Sequence, residues 1–332
     1  MTNNVLQDRY DVVVVGGGAA GLNGALMLAR SRRSVTVIDD GDPRNAPAAG
    51  VHGLLGHDGV PPAELLAKGR EEVQRYGGHV AAGAVTTIVR EADGFRVDVA
   101  DFRSIRARRV LIATGVVDEL PAVTGLRERW GRDVVHCPYC HGWEVRDRAI
   151  GVLAVGPLSV HQAQMFRQLS DDVVYFTHMT PPLPPEQAEE LAARGIRVVE
   201  GTVTDLEITD DAITGVRLAD GKIVPRAAIA VGSYVAPRTG LLDALGLSAV
   251  EHPSGMGRYV PSEGGRTDVP GVWVAGNVTD MMAQVGPSAA AGAMAGAQIN
   301  GDLIAEETAR AVEARRSGQE PAPAADPVSA QV

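Results

Sequence analysis

The chain has 332 residues, and its 31 basic and 41 acidic side chains leave a net charge of −10; at roughly 150 residues per domain, two domains are expected. That charge balance, with no long Lys/Arg run and only 4% aromatic residues, argues against nucleic acid and anionic membrane as partners. The 39 Gly and 20 Pro are spread among apolar segments rather than gathered in one tract, which excludes a disordered chain.

The opening MTNNVLQDRYD carries no basic stretch leading into an apolar one, and no spanning apolar run follows, so a soluble cytoplasmic protein is expected. Val12-Val13-Val14-Val15 reads as a buried strand that enters Gly16-Gly17-Gly18-Ala19-Ala20-Gly21 and then a helical pattern of Leu22, Ala25, Leu26 and Ala29. In that order Gly16 permits the turn, Gly18 lets the backbone approach a pyrophosphate, and Gly21 allows close helix packing, with the helix N-terminus facing the anion. A second strand, Val35-Thr36-Val37-Ile38, ends at Asp39, 21 residues after Gly18, where an acid accepts hydrogen bonds from ribose hydroxyls. An adenine dinucleotide is expected here.

Alternating strands follow at residues 84–89 and 95–99, a turn at Asp101, then Val110-Leu111-Ile112-Ala113 before Thr114-Gly115. The arrangement returns later: residues 109–115 match residues 226–232 at an offset of 117, and Ala100-Asp101 matches Ala219-Asp220 at an offset of 119. An internal duplication is expected. Its second copy should open with a strand at 150–155, the turn Gly156-Pro157-Leu158-Ser159 and a helix over about 160–169. After about residue 240 the chain should rejoin the first domain, with Gly271-Val272-Trp273-Val274 entering Ala275-Gly276-Asn277 and the Ala/Gly-rich residues 288–297 forming a closely packed helix. From Arg315 onward the composition is that of a frayed tail.

The only two cysteines sit three apart as Cys137-Pro138-Tyr139-Cys140, too near to staple distant segments, but able to close a small disulfide ring. Such a pair points to redox chemistry or to half of a metal site. A closed zinc site wants four ligands, and although His136 and His141 flank the pair, adjacent residues rarely all face one ion and there is no second CxxC, so no metal is expected. Inert buried thiols are the plainer alternative.

Together GGGAAG at 16–21, Ala113-Thr114-Gly115, CPYC at 137–140 and Pro270-Gly271-Val272-Trp273-Val274-Ala275-Gly276-Asn277 resemble the low-molecular-weight thioredoxin reductases, to about residue 312. The resemblance implies an α/β protein of two Rossmann-like domains. An FAD domain of residues 1–117 and 240–315 would be split by an inserted NAD(P)-type domain of residues 118–239 carrying the redox pair, with 316–332 as a flexible tail. It implies FAD held by Gly16, Gly18, Ala19, Ala20, Gly21 and Asp39, with Thr114, Gly115, Gly276 and Asn277 completing the site and Gln284 near the pyrimidine edge. By matching position, Cys140 would lie against the flavin and Cys137 would attack the substrate. A homodimer is expected because relatives form one.

Departures from the family sharpen the reading. His141 stands where the family carries an Asp, and imidazole accepts a thiol proton at neutral pH, which suits thiol oxidation. His136 is a supporting candidate or a structural histidine; His52 and His57, in the glycine-rich residues 51–60, are site or loop residues. Asn277 replaces the usual Asp and offers a ribityl hydroxyl either a donor or an acceptor. The second glycine loop has Ala154, Gly156 and Ser159 where the family pattern is GxGxxA, and Pro157 lacks a donor. Counting 21 residues from Gly156 reaches Thr177, neither an acid nor an arginine. NADPH binding is therefore expected to be weak or absent. The chain is similar to the dithiol oxidases that close disulfides in small sulfur natural products. In that reading a substrate thiolate attacks Cys137, a second thiol resolves the mixed disulfide, and electrons pass from Cys140 through FAD to O2, giving H2O2. The alternatives are a reductase of thioredoxin or a thioredoxin-like protein, fed by NADPH or another donor, and a flavin-binding redox sensor without turnover.

Overall fold

Two sheets, the first mixed and the second parallel, organise the computed structural model, which describes residues 6–100 and 103–318. In the first, the strand Arg9–Val15 lies parallel between Val35–Asp39 and Ser104–Ile112, with Val12 opposite Val35 on one side and Arg109 on the other. The four consecutive valines make a central strand because alternate side chains serve two cores. Val13 and Val15 join Ile38, Val110 and Ile112, while Val12 and Val14 join Leu28, Trp273 and Ile299. His79–Ala82 extends this sheet on one edge, and Gly94–Val99 and Val85–Glu91 extend it antiparallel on the other. The late strand Val272–Val274 returns to pair with Val110, Leu111 and Ile112.

The second sheet is parallel throughout, in the order Arg197–Val199, Val173–Phe176, Ile150–Leu153, Ala228–Val231, Val134–Val135. The segments joining the sheets, Val116–Glu119 and Tyr234–Pro237, run antiparallel side by side. Val203–Thr209, Ala212–Leu218 and Ile223–Val224 form a separate three-stranded antiparallel sheet.

Element ends differ from expectation for local reasons. The second copy's strand stops at Leu153 rather than at residue 155, because the Val155 N–H turns to Ser159 Oγ at 3.0 Å. Its helix is Ser159–Phe166, and residues 167–169 form a turn in which the Leu169 N–H reaches the Phe166 carbonyl at 2.9 Å, a 3₁₀ spacing. The C-terminal helix runs over Val285–Arg316, 32 residues, so the expected fraying at Arg315 does not occur there, and residues 319–332 lie outside the described part. Among the described residues no helix is long and apolar enough to cross a membrane.

This helix crosses Ala19–Arg30 at a point where no side chain fits. A Cβ on Gly292 would stand 1.9 Å from the Ala20 carbonyl oxygen, and one on Gly296 2.6 Å from that of Gly24. The Asn23 amide donates to the Ala289 carbonyl at 2.7 Å across the same crossing. Gly292→Ala is expected to cost about 1–3 kcal/mol by overpacking, read as a lowered Tm; an unchanged Tm would show that the crossing is not tight.

Candidate active site

The turn after the first strand is set by Gly16, whose φ is +103° and whose Cβ would lie 2.4 Å from the Ala113 carbonyl oxygen. Gly18 then caps the helix Ala19–Arg30, and among the described residues nothing but its chain neighbours lies within 4 Å of where its Cβ would stand. The helix N-terminus, with Ala19 and Ala20, thus opens on a cavity of about 640 Å³, the orientation that binds phosphate. Gly21 closes the turn from behind, its Cβ position 1.9 Å from the Gly16 carbonyl oxygen.

Asp39 lines the same cavity, its Oδ1 accepting the Gly17 N–H at 2.9 Å and its Oδ2 the Arg70 guanidinium at 3.3 Å. A carboxylate has lone pairs to spare for ribose hydroxyls beyond those two bonds. In the cavity wall Thr114 Oγ1 is buried and, among the described residues, has no hydrogen-bond partner, which suits a polar ligand, and Gly115, Gly276 and Asn277 line the same wall. The donor half of Asn277 is already used: its Nδ2 donates to the carbonyls of Asp280 and Ala283 at 3.0 and 2.9 Å. That corrects the expected donor-or-acceptor role to an acceptor alone. An anion-ready helix end, an acid at the next strand and an orphaned hydroxyl fit flavin adenine dinucleotide.

The second sheet supplies the cysteines. Its strand Val134–Val135 leads to Cys137, which in extended conformation caps the single turn Pro138–His141, with Pro138 at the position where a missing N–H is harmless. The turn places the Cys140 and His141 N–H groups 3.2 and 3.1 Å from the Cys137 carbonyl and brings both sulfurs, as free thiols, to the wall of the flavin-sized cavity. Gln284, which caps the C-terminal helix, donates from Nε2 to Cys140 Sγ at 3.3 Å and reaches Cys137 Sγ at 3.8 Å. Its amide thus faces the two sulfurs from the wall of the same cavity.

The hydrogen bond from the Cys140 thiol, with backbone N–H groups of Cys140 and Tyr139, outweighs burial and holds the Cys137 thiol down to about 6. The same bond and burial push the Cys140 thiol far above its ordinary range. At neutral pH the reduced pair therefore carries its charge on Cys137 and its proton on Cys140.

His136 and His141 share the cavity wall. Burial lowers both below the ordinary imidazole value, with the Arg44 charge adding to the effect on His136 and Glu144 opposing it on His141. His136 donates from Nδ1 to the Val231 carbonyl at 3.2 Å, which anchors it to the second sheet. Among the described residues His141 Nε2 is buried and has no hydrogen-bond partner, so a neutral base stands in the wall that also carries the thiols. His52 also lines the cavity; His57 lies outside its wall, in the turn where its N–H meets the Leu54 carbonyl at 2.9 Å. Two further residues of the wall carried no sequence signal: Arg44 and Asp118, 74 positions apart, form a two-pronged ion pair at 2.7 Å. Among the described residues no group of three or more His, Cys, Asp or Glu is arranged to hold a metal ion.

The corresponding turn of the second sheet is built differently. Ser159 Oγ accepts the Val155 and Gly156 N–H groups at 3.0 and 3.3 Å, using donors that a phosphate needs. Met256, from the turn between Val250–Glu251 and Arg258–Tyr259, crosses onto the strand ends: a Cβ on Gly156 would lie 2.8 Å from its Sδ, and one on Gly232 3.0 Å from its Cε. Thr177 is buried, with its N–H on the Val199 carbonyl at 3.0 Å. The sequence revealed Ser159 and Thr177 but not Met256, which lies about a hundred positions from the turn it covers.

Two Rossmann-like units, one opening on a dinucleotide-sized cavity and the other presenting a cysteine pair to it, define a flavin-dependent disulfide oxidoreductase. Residues 10–297 match the pyridine nucleotide-disulphide oxidoreductase family, and the chain belongs to it. Over 320 residues it is 32% identical to thioredoxin reductase tcpT of Claviceps purpurea, covering 92% of this chain and 96% of that one. It is similar to the crystal structure of HlmI, with a TM-score of 0.87 and 44% identity over 94% of this chain and 98% of that one. An oxidoreductase from Agrobacterium tumefaciens follows, with a TM-score of 0.84 and 34% identity over 89% of this chain and 99% of the other.

Alkylation of the anaerobically reduced protein by iodoacetamide should modify Cys137 with a midpoint near pH 6, the rate rising with pH through that point, while Cys140 stays inert. Cys140→Ala removes the hydrogen-bond donor and should move the midpoint upward. A Cys137 midpoint in the wild type at about 8.5, the value for an ordinary thiol, would contradict the charge assignment.

Proposed function

We propose that the protein is a dithiol oxidase that closes a disulfide in a small molecule, with overall balance R(SH)2 + O2 → RS2 + H2O2. One observation carries this reading: the first glycine turn opens on a cavity, whereas Ser159 and Met256 occupy the second. With that groove filled, NADPH has no phosphate cradle, and electrons enter through the cysteines. When bound, FAD accepts two electrons from the reduced pair and delivers them to O2.

The chain's own residues supply the rest. His141 Nε2 takes the proton of a substrate thiol. The resulting thiolate bonds to Cys137 Sγ as the Cys137–Cys140 bond breaks, its electron pair moving onto Cys140, which takes up the proton that His141 received. The second substrate thiol gives its proton to the freed His141 and attacks the substrate sulfur of the mixed disulfide, and Cys137 leaves as a thiolate, a good leaving group because its proton affinity is low. Gln284 aims the Cys140 sulfur by its hydrogen bond. The name of the Claviceps purpurea relative favours a second reading, electron flow into the disulfide of a thioredoxin-like protein.

Aerobic turnover of a panel of small dithiols separates the two. The oxidase reading expects one peroxide per disulfide formed, with no nicotinamide nucleotide added. Cys137→Ser should retain FAD and lose about 1,000-fold or more of this turnover. Electron flow only into a thioredoxin-like protein, or substantial turnover by Cys137→Ser, would overturn the scheme.

A further inference from the structure

Thiol–disulfide exchange expels a thiolate twice, first from Cys140 and then from Cys137, and a half-buried thiolate has lost much of the water that would hold its charge. The backbone N–H groups of Tyr139 and Cys140 serve the Cys137 sulfur. Cys140 is met by a side chain instead: Gln284 Nε2 stands 3.3 Å from its sulfur and 3.8 Å from that of Cys137. A primary amide carries two N–H bonds on one nitrogen, so a single group can face both sulfurs.

The amide is held there by its backbone. The Gln284 carbonyl accepts the Ser288 N–H at 2.9 Å, and the Ala283 carbonyl just before it accepts the Asn277 amide at 2.9 Å. Asn277 Nδ2 also donates to the Asp280 carbonyl at 3.0 Å, fixing the bend that carries Gln284. A carboxylate at 277 would have no N–H to give these carbonyls. Beside the amide lies Gly53, where a Cβ would stand 3.8 Å from Gln284 Oε1.

We propose that Gln284 is a catalytic residue of the exchange, its amide holding the negative charge of each leaving sulfur in turn, and that Asn277 positions it. When the substrate thiolate bonds to Cys137, the Cys137–Cys140 bond breaks and its electron pair settles on Cys140. One Nε2–H donates to that sulfur until the proton from His141 arrives. When the second substrate sulfur bonds to the first, the bond from substrate to Cys137 breaks and its pair settles on Cys137, within reach of the other Nε2–H. Gln284 itself exchanges no proton and no electron. The inference rests on the dithiol reading, but only on its first half, thiol–disulfide exchange.

The test is anaerobic stopped-flow bleaching of the flavin band by dithiothreitol from about pH 5 to 9, with FAD content checked in each variant. Gln284→Met keeps the length without an N–H and should slow bleaching about tenfold, short of the ~100-fold lost with an oxyanion donor because sulfur is a weaker acceptor. Gln284→Glu is isosteric. At neutral pH its charge opposes the leaving sulfur, so its rate should fall below that of Gln284→Met; toward low pH the carboxyl regains a proton to donate, and its ratio to wild type should recover. Asn277→Ala should show part of the Gln284→Met loss and add nothing to it in the double variant, since it acts through Gln284. A variant that holds no FAD is read by iodoacetamide instead: the Cys137 midpoint should move upward from near pH 6 in Gln284→Met, and an unmoved midpoint counts against the proposal. Bleaching within about twofold of wild type in both Gln284 variants would overturn it. So would equal slowing of the two at every pH, since Gln284 would then only shape the loop, and additive losses would remove the role of Asn277. The oxidase reading fails on a different result: wild-type protein that dithiothreitol reduces but that returns no peroxide when O2 is readmitted.

Discussion

The hydrogen bond from the Gln284 amide to the Cys140 sulfur joins the two sheets where electrons have to cross between them. Each end of that bond depends on a different part of the chain. Gln284 is held at the cap of a 32-residue helix whose position is fixed by the glycine crossing with Ala19–Arg30. Cys140 is held by a single helical turn that follows an edge strand of the second sheet. Polar contacts at the cavity rim, Arg44 with Asp118 and His52 with Glu144, tie neighbouring segments together around the same point. The paired crossovers Val116–Glu119 and Tyr234–Pro237 run between the units. None of these contacts is strong alone, but they converge on one geometry.

The reduced pair is asymmetric for a simple electrostatic reason. Two thiols within hydrogen-bonding reach cannot both ionise without placing like charges in contact. The helical turn breaks the tie, because its backbone N–H groups point at Cys137 and not at Cys140. Burial then makes the second ionisation harder still. The cysteine of lower proton affinity is thus distinguished by backbone geometry.

Much of this was legible in the chain. Four valines followed by a glycine turn and an acid at the next strand end fix a dinucleotide fold locally, and the cysteine spacing fixes a redox turn, since both depend on residues a few positions apart. The weakened second turn was also readable, because a proline and a serine replace backbone donors within one loop. What escaped were contacts made by distant residues with no pattern of their own. Met256 covers a turn a hundred positions away, Arg44 meets Asp118 across 74, and Gln284 finds Cys140 across 144. Asn277 shows the same limit in reverse: its type was known, but the local carbonyls that consume its donors could not be seen until the loop was folded.

The two glycine turns follow parallel strands in the same way and present opposite surfaces. One exposes its helix end to a cavity; the other satisfies its own donors and lies under a methionine. The most direct measurement is the visible absorbance of the flavin-loaded protein without oxygen, recorded after one equivalent of NADPH and then after one equivalent of a small dithiol. The flavin band should persist with NADPH and bleach with the dithiol. Rapid bleaching by NADPH would contradict this, placing a working nucleotide site where Ser159 and Met256 now stand.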